Sequence, residues 1–258
     1  MNDQMKPVFG SQPRHGSMGR EGLVLDLPLN EGGGNIIKDY SLNDNNGTYN
    51  GAVWVAGEHG PALLFDGSTA TVSLGTGPSL EGFQKFTIIA KIKTTQASDG
   101  KIISQRNGGY NGIWQLGVNG GKAVIFLRSK TFVNYTLAST GDVDDGLWHT
   151  VVVTYDQDIP AIYIDGTLDK LSSTSGHTVE FDGSISTNLG CDARASNDYF
   201  AGDLGYLTLI NRALSAREVW EATFNPWKDW QKDNLLWMAA AQGGGVTPTG
   251  QMVSIICT

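Results

Sequence analysis

The 258-residue sequence has few cysteines, no basic clusters and no long apolar run. Its two cysteines, Cys191 and Cys257, are too few for a disulfide framework or a cysteine zinc site, so free thiols are expected. Lys and Arg number 18 against 26 Asp and Glu, giving a net charge of −8. A duplex-binding surface needs clustered Lys and Arg, so neither nucleic acid nor an anionic membrane is an expected partner. The longest apolar run, Leu235–Ala241, falls far short of the ~20 residues that span a bilayer. The first twenty residues are polar and carry Lys6, Arg14 and Arg20 with no apolar stretch behind them, so no ordinary secretory signal is expected.

Catalytic signatures are equally scarce. G-x-S-x-G is absent, which removes the nucleophile elbow. His15, His59, His149 and His177 lack the H-x-x-x-H spacing of a metal site. His149 falls inside a strand-like run beside Trp148 and reads as structural. Asp142, Asp144 and Asp145 crowd acid together without the glycine and glutamate of an EF-hand loop, and so read as a solvated loop.

Glycine, by contrast, supplies 34 residues, about twice its usual ~7% share. Asp-Gly begins at Asp66, Asp99, Asp145, Asp165 and Asp182, and Asn-Gly at Asn46, Asn50, Asn107, Asn111 and Asn119. Both dipeptides tolerate the positive φ that tight hairpins require. Between them lie short runs rich in Val, Ile, Thr and aromatics: Ala70–Leu74, Phe86–Lys93, Ile113–Val118, Ala123–Leu127, Leu147–Tyr155, Ala161–Ile164 and Tyr206–Ile210. That composition is strand chemistry. Asp165-Gly166 separates two such runs and predicts a tight hairpin. Many short antiparallel strands punctuated this way predict an all-β sandwich or barrel.

One helix is expected over 215–224. Ser215-x-x-Glu218 forms a capping box, Leu214 and Val219 can staple it, and Asn225-Pro226 stops it. Trp220 and Phe224 share one helical face. The chain thus divides into an N-terminal arm (1–21), a sandwich (22–225) and a C-terminal extension (226–258). That extension holds Trp227, Trp230 and Trp237 and a Gly-, Pro- and Thr-rich stretch.

Several segments together resemble laminin-G-like domains of the concanavalin A-like class. Gly22-Leu23-Val24-Leu25-Asp26-Leu27 with Asn30–Gly34 is similar to their opening strand and glycine turn. Asp39-Tyr40-Ser41 through Asn45-Asn46-Gly47-Thr48 resembles their D-x-S-G-N-x-x-x-G-T signature. Ala62–Gly67, Leu147-Trp148-His149 with Val151–Val153, Tyr163–Gly166, and Gly202–Leu204 with Asn211–Ser215 follow in the family's order. The resemblance implies an antiparallel jelly roll of two packed sheets. Gly19–Val24 also looks like the R-G-L-V opening of phage and prophage members, and Phe224-Asn225-Pro226-Trp227 like their N-P-W extension.

The resemblance brings site candidates with it. Many domains of this type carry a structural calcium ion, for which Asp39 and Asp44 are the candidates; no other cofactor is implied. Retaining glycoside hydrolases that share the sandwich carry E-x-D-x-x-E on one strand. The nearest match, Glu180-Phe181-Asp182-Gly183-Ser184-Ile185, lacks the third acid and looks like a turn, so no catalytic residue is assigned. The loops Asn107–Gly112 and Ala193–Tyr199 offer Asn107, Tyr110, Asn111, Asn197 and Tyr199 to sugar hydroxyls. Trp54, Trp114 and Trp148 read as core. Trp227, Trp230 and Trp237 either fold back on the domain or anchor a partner.

The resulting expectation is a non-enzymatic virion accessory protein on a phage capsid or tail. It would attach through its terminal arms to other virion proteins, itself included. The alternative is a lectin-like module for host or surface glycans, and a third reading is a glycoside hydrolase.

Overall fold

A computed structural model of the chain describes residue 6 and residues 21–106, 113–129, 133–156, 159–173, 181–192 and 198–228. The strands run in chain order as β1 (Leu23–Leu27), β2 (Ile36–Ile37), β3 (Gly47–Asn50), β4 (Val53–Ala56), β5 (Pro61–Asp66) and β6 (Thr71–Ser73). They continue as β7 (Lys85–Lys93), β8 (Gly100–Gln105), β9 (Ile113–Asn119), β10 (Lys122–Arg128) and β11 (Asn134–Asp142). The last are β12 (Trp148–Asp156), β13 (Ile159–Ile164), β14 (Thr167–Leu171), β15 (Thr187–Leu189) and β16 (Ala201–Ile210), followed by α1 (Ala216–Phe224).

The strands form two antiparallel sheets. The first has the order β14-β13-β12-β7-β16-β5-β4. The long β16 gives its first half to β5, and its second half to β1, which pairs there from Leu23↔Ile210 to Leu27↔Leu207. The second sheet has the order β11-β10-β9-β8-β15-β6-β3-β2. The expected jelly-roll sandwich with one short C-terminal helix is therefore present.

The core lies between the sheets because side chains alternate along each strand. In β10, Ala123, Ile125 and Leu127 are fully buried, while Lys122, Val124, Phe126 and Arg128 between them are half-exposed. Trp114, Phe65, Phe86, Phe181 and Phe200 fill the interior, with Phe86 stacked on Tyr155 at 5.0 Å.

A second, smaller cluster packs α1 on the outside of the first sheet. Ile89, Val152, Tyr163, Tyr206, Leu214 and Val219 meet there. Ser215 caps α1 as its sequence predicts: its side chain accepts from Glu218 N–H, and the Glu218 carboxylate accepts from Ser215 N–H at 2.8 Å. Leu214 and Val219 close the staple from below. Trp227 belongs to this cluster too. It is 4% exposed and meets Tyr206 edge-on at 5.3 Å. This corrects the partner-anchor reading for Trp227, whose indole is already buried against its own sheet. Trp230 and Trp237 lie outside the described residues.

Candidate functional site

The outer face of the second sheet gathers polar side chains in one line. Directly paired residues share a face, and the register runs Thr48–Ser73–Asn188–Ser104–Gln115–Phe126–Thr136 across it. The neighbouring inward row is Val72–Leu189–Ile103–Leu116–Ile125–Leu137, wholly apolar. Gln115 ties this row to its surroundings. Gln115 Nε2 donates to Ser104 Oγ at 3.0 Å. Arg106 Nη1 donates to Gln115 Oε1 at 3.3 Å and to Asp192 Oδ2 at 2.9 Å. Ser104 and Asp192 are fully buried, and the Arg106 side chain is 14% exposed. Arg128, farther along, lies over the Phe126 ring at 5.4 Å.

This network has consequences for the two loops that sequence reasoning marked for sugars. Arg106 immediately precedes 107–112, and Asp192 immediately precedes 193–197. Their ion pair therefore joins the first residue before one loop to the first residue before the other, over the same sheet face. The second loop rejoins the fold at the other end of β8. There Asp198 O accepts from Lys101 N–H at 2.9 Å, and Tyr199 forms a parallel bridge with Lys101. Gln96 Nε2 donates to Tyr199 O at 2.8 Å, and the Tyr199 residue is half-buried. Asn107, Tyr110, Asn111 and Asn197 lie outside the described residues. Arg106, Asp192, Gln115 and Ser104 were not read from the sequence. Gln115, a lone polar residue in the apolar run Ile113–Val118, is the one signal the sequence offers, and it points to none of the other three.

The calcium candidates have other duties. Asp39 is 4% exposed. Its Oδ1 accepts from Asp26 N–H at 2.9 Å and Ser41 N–H at 2.8 Å, and its Oδ2 from Ser41 Oγ at 2.7 Å and Asn45 N–H at 3.0 Å. Those four bonds engage both oxygens, so Asp39, named as a calcium candidate, staples β1 to the 39–46 loop. Asp44 is exposed on that loop and accepts from Asn46 Nδ2 at 3.1 Å. Among the described residues, no three His, Cys, Asp or Glu side chains gather as a metal site would.

Asp182, His149 and Cys191 are each engaged within the fold. Asp182 caps its own turn, accepting from Ser184 N–H at 3.0 Å and Ser184 Oγ at 2.7 Å; Glu180 lies outside the described residues. His149 bridges two turns, Nδ1 to Asp165 Oδ2 at 2.7 Å and Nε2 to Asp145 Oδ1 at 3.1 Å. Burial disfavours its imidazolium, but the bonds to Asp165 and Asp145 outweigh burial and raise its pKa. Burial pushes the Cys191 thiol up to about 11, which keeps it protonated and unreactive near neutrality. Trp114 is in the core, its indole N–H donating to Gln105 Oε1 at 2.8 Å. Trp54 is half-buried and meets Tyr49 edge-on at 6.3 Å.

A profile described as the concanavalin A-like lectin/glucanases superfamily, Laminin_G_3, matches residues 66–220. The chain belongs to that family. No curated protein sequence matches it. Among solved structures, it is similar to the binding domain of Paraclostridial Mosquitocidal Protein 1, with 15% identity and a TM-score of 0.69 over 82% of this chain and 54% of that one. It is also similar to domain 4 of AbnA, a GH43 extracellular arabinanase from Geobacillus stearothermophilus, in complex with arabinotriose. There the identity is 16% and the TM-score 0.64, over 78% of this chain and 98% of that one. The botulinum neurotoxin type G receptor binding domain gives 15% identity and a TM-score of 0.58, over 79% and 51%. The chain thus spans about half the length of the toxin binding domains it matches, and likenesses at this identity concern the fold.

Proposed function

We propose that this member of the concanavalin A-like lectin/glucanases superfamily is a non-catalytic carbohydrate-binding module. Its sugar site would lie on the outer face of the second sheet, where the loops 107–112 and 193–197 leave it. The observation that carries this reading is the buried Asp192–Arg106–Gln115–Ser104 network, which ties both loops to one polar face. A preorganised base lets loops present hydrogen-bonding groups without first ordering the fold beneath them. Asn107, Asn111 and Asn197 supply amides that both donate and accept, as sugar hydroxyls do. Tyr110 and Tyr199 supply ring faces on which a sugar's C–H groups can rest. The arabinotriose held by the AbnA domain, itself covered almost end to end, supports a sugar as ligand. Against hydrolysis stands Asp182, the described acid of the E-x-D segment, whose Oδ1 is engaged in its own turn.

Glycan-array screening followed by calorimetric titration tests this. Tyr199→Ala and Asn111→Ala should each weaken the best glycan roughly tenfold or more, with the circular-dichroism spectrum unchanged. A panel with no binder, or binding that ignores both substitutions, contradicts the assignment.

A second reading concerns where such a module would work, namely a phage particle. It rests on the resemblance of Gly19–Val24 and Phe224–Trp227 to phage members. It gains one structural point: Trp227 packs on Tyr206, so the C-terminal extension starts from a fixed place on the body. Trp230 and Trp237 are then the residues to engage a neighbouring virion subunit or a second copy. Deleting 229–258 should abolish incorporation into particles while the sandwich still folds; normal incorporation contradicts this placement.

A further inference from the structure

The N-terminal arm meets the sandwich at Lys6. This residue is 9% exposed, and its backbone N–H donates to His59 O at 2.7 Å. Its methylene stem runs past Gly60, where an added Cβ would sit 3.4–3.5 Å from the stem carbons. The amine then enters a seat lined by main-chain oxygens. It donates to Leu29 O at 3.1 Å and, more closely, to Pro61 O and Gly205 O. The three carbonyls come from segments far apart in the chain: the loop after β1, the start of β5 and the middle of β16. The fold itself therefore builds the seat. Glu31 adds a partly buried carboxylate nearby, whose Oε2 has no hydrogen-bond partner among the described residues.

We propose that this seat is a primary-amine receptor built into the sandwich and filled in cis by Lys6. The ligand class follows from the count of donors. A primary ammonium carries three N–H groups and no acceptor, and three carbonyls receive them one for one. A quaternary ammonium has the charge but no N–H to give, and it is too wide for oxygens at hydrogen-bond distance. Burial pulls Lys6 down to about 7 against the attraction of Glu31, so amine and ammonium exchange near neutrality. The ammonium donates to all three carbonyls, whereas the neutral amine can donate to only two of them. Buried carbonyls without donors are costly, so an emptied seat should take up a small primary amine from solution.

The thermal experiment uses the full chain at a mildly acidic pH, where Lys6 and added propylamine are both ammonium. Lys6→Ala removes three carbons and the amine, the volume of propylamine. Its thermal midpoint should fall by several degrees. Propylamine at tens of millimolar should restore part of that loss and leave the parent unmoved, whereas tetramethylammonium at equal concentration should not. Equal shifts with the two salts, or no shift with propylamine, overturn the proposal. Restoration by calcium but not by propylamine also overturns it, since the seat would then be a metal site. If Lys6→Ala does not fold, amine acetylation of the unmodified chain decides, read by mass spectrometry. Lys6 should react long after the exposed Lys38 and Lys170; modification at their rate refutes the seat.

Discussion

Asp192 shows how much one side chain can hold. It is fully buried, and its Oδ2 receives Arg106 at 2.9 Å. Removing one partner of a buried pair leaves the other charge uncompensated and typically costs about 3–5 kcal/mol. Asp192→Ala should therefore lower the urea midpoint sharply and weaken any glycan bound at the neighbouring loops. A stability within experimental error of the parent would show that the pair is not the base of the site. His149 makes a pH-dependent prediction. Its folded pKa is raised, so its stabilisation is complete below the ordinary histidine value and is lost as pH rises through the folded one. The stability gap between the parent and His149→Gln should be wider at about pH 5.5 than at about pH 8.5, measured by urea unfolding. At this scale the sequence was legible in part. His149 and Trp114 read correctly as structural. The bonds of Asp39 to β1 were not legible, because a buried carboxylate that accepts N–H groups has the same spelling as one that binds a cation. Asp192 carried no signal, since its partner lies 86 positions away and meets it only through sheet pairing.

Elements follow their local chemistry where both the apolar run and the turn are strong. The Asp165-Gly166 turn has φ of +50° and +78°, so the dipeptide that predicted a hairpin supplies two left-handed residues. β7, β9, β10, β12, β13 and β16 extend the apolar runs read from the sequence by a few residues at most, except β16, which begins five residues earlier at Ala201. β11 was not read, and of β14 only Thr167-Leu168, the far side of the Asp165-Gly166 hairpin, was read, for a physical reason. Each closes one edge of its sheet, much of each is exposed, and neither Asn134–Asp142 nor Thr167–Leu171 has a continuous apolar run. β8 escaped because Ser104 and Gln105 end it with polar groups whose partners lie on β9 and β15. The helix gives the clearest test at this scale. Ser215→Ala removes the cap that accepts Glu218 N–H and should cost about 1 kcal/mol, seen in thermal unfolding; no change would mean that packing of Val219 alone holds α1. Gly166 is the second contact point of α1, since an added Cβ would sit 2.9 Å from Phe224 Cε2.

At the scale of the whole molecule, the outer faces of the two sheets differ. The first sheet's outer side is occupied by α1 and Trp227, and near its β4–β5 edge by Lys6. The second sheet keeps a polar outer row, with the sugar-loop candidates rooted beside it. This difference could not be read along the chain, because it depends on which strands become neighbours across the sheets. The most direct measurement of the proposed sugar site is an NMR titration of the isotope-labelled full chain with the best-binding oligosaccharide. The largest amide shifts should fall at Ser104–Gln115 and Asp192–Tyr199, with the sugar recovered intact afterwards. Shifts centred instead on α1 or on the β4–β5 turn, or release of shortened sugars, would contradict it.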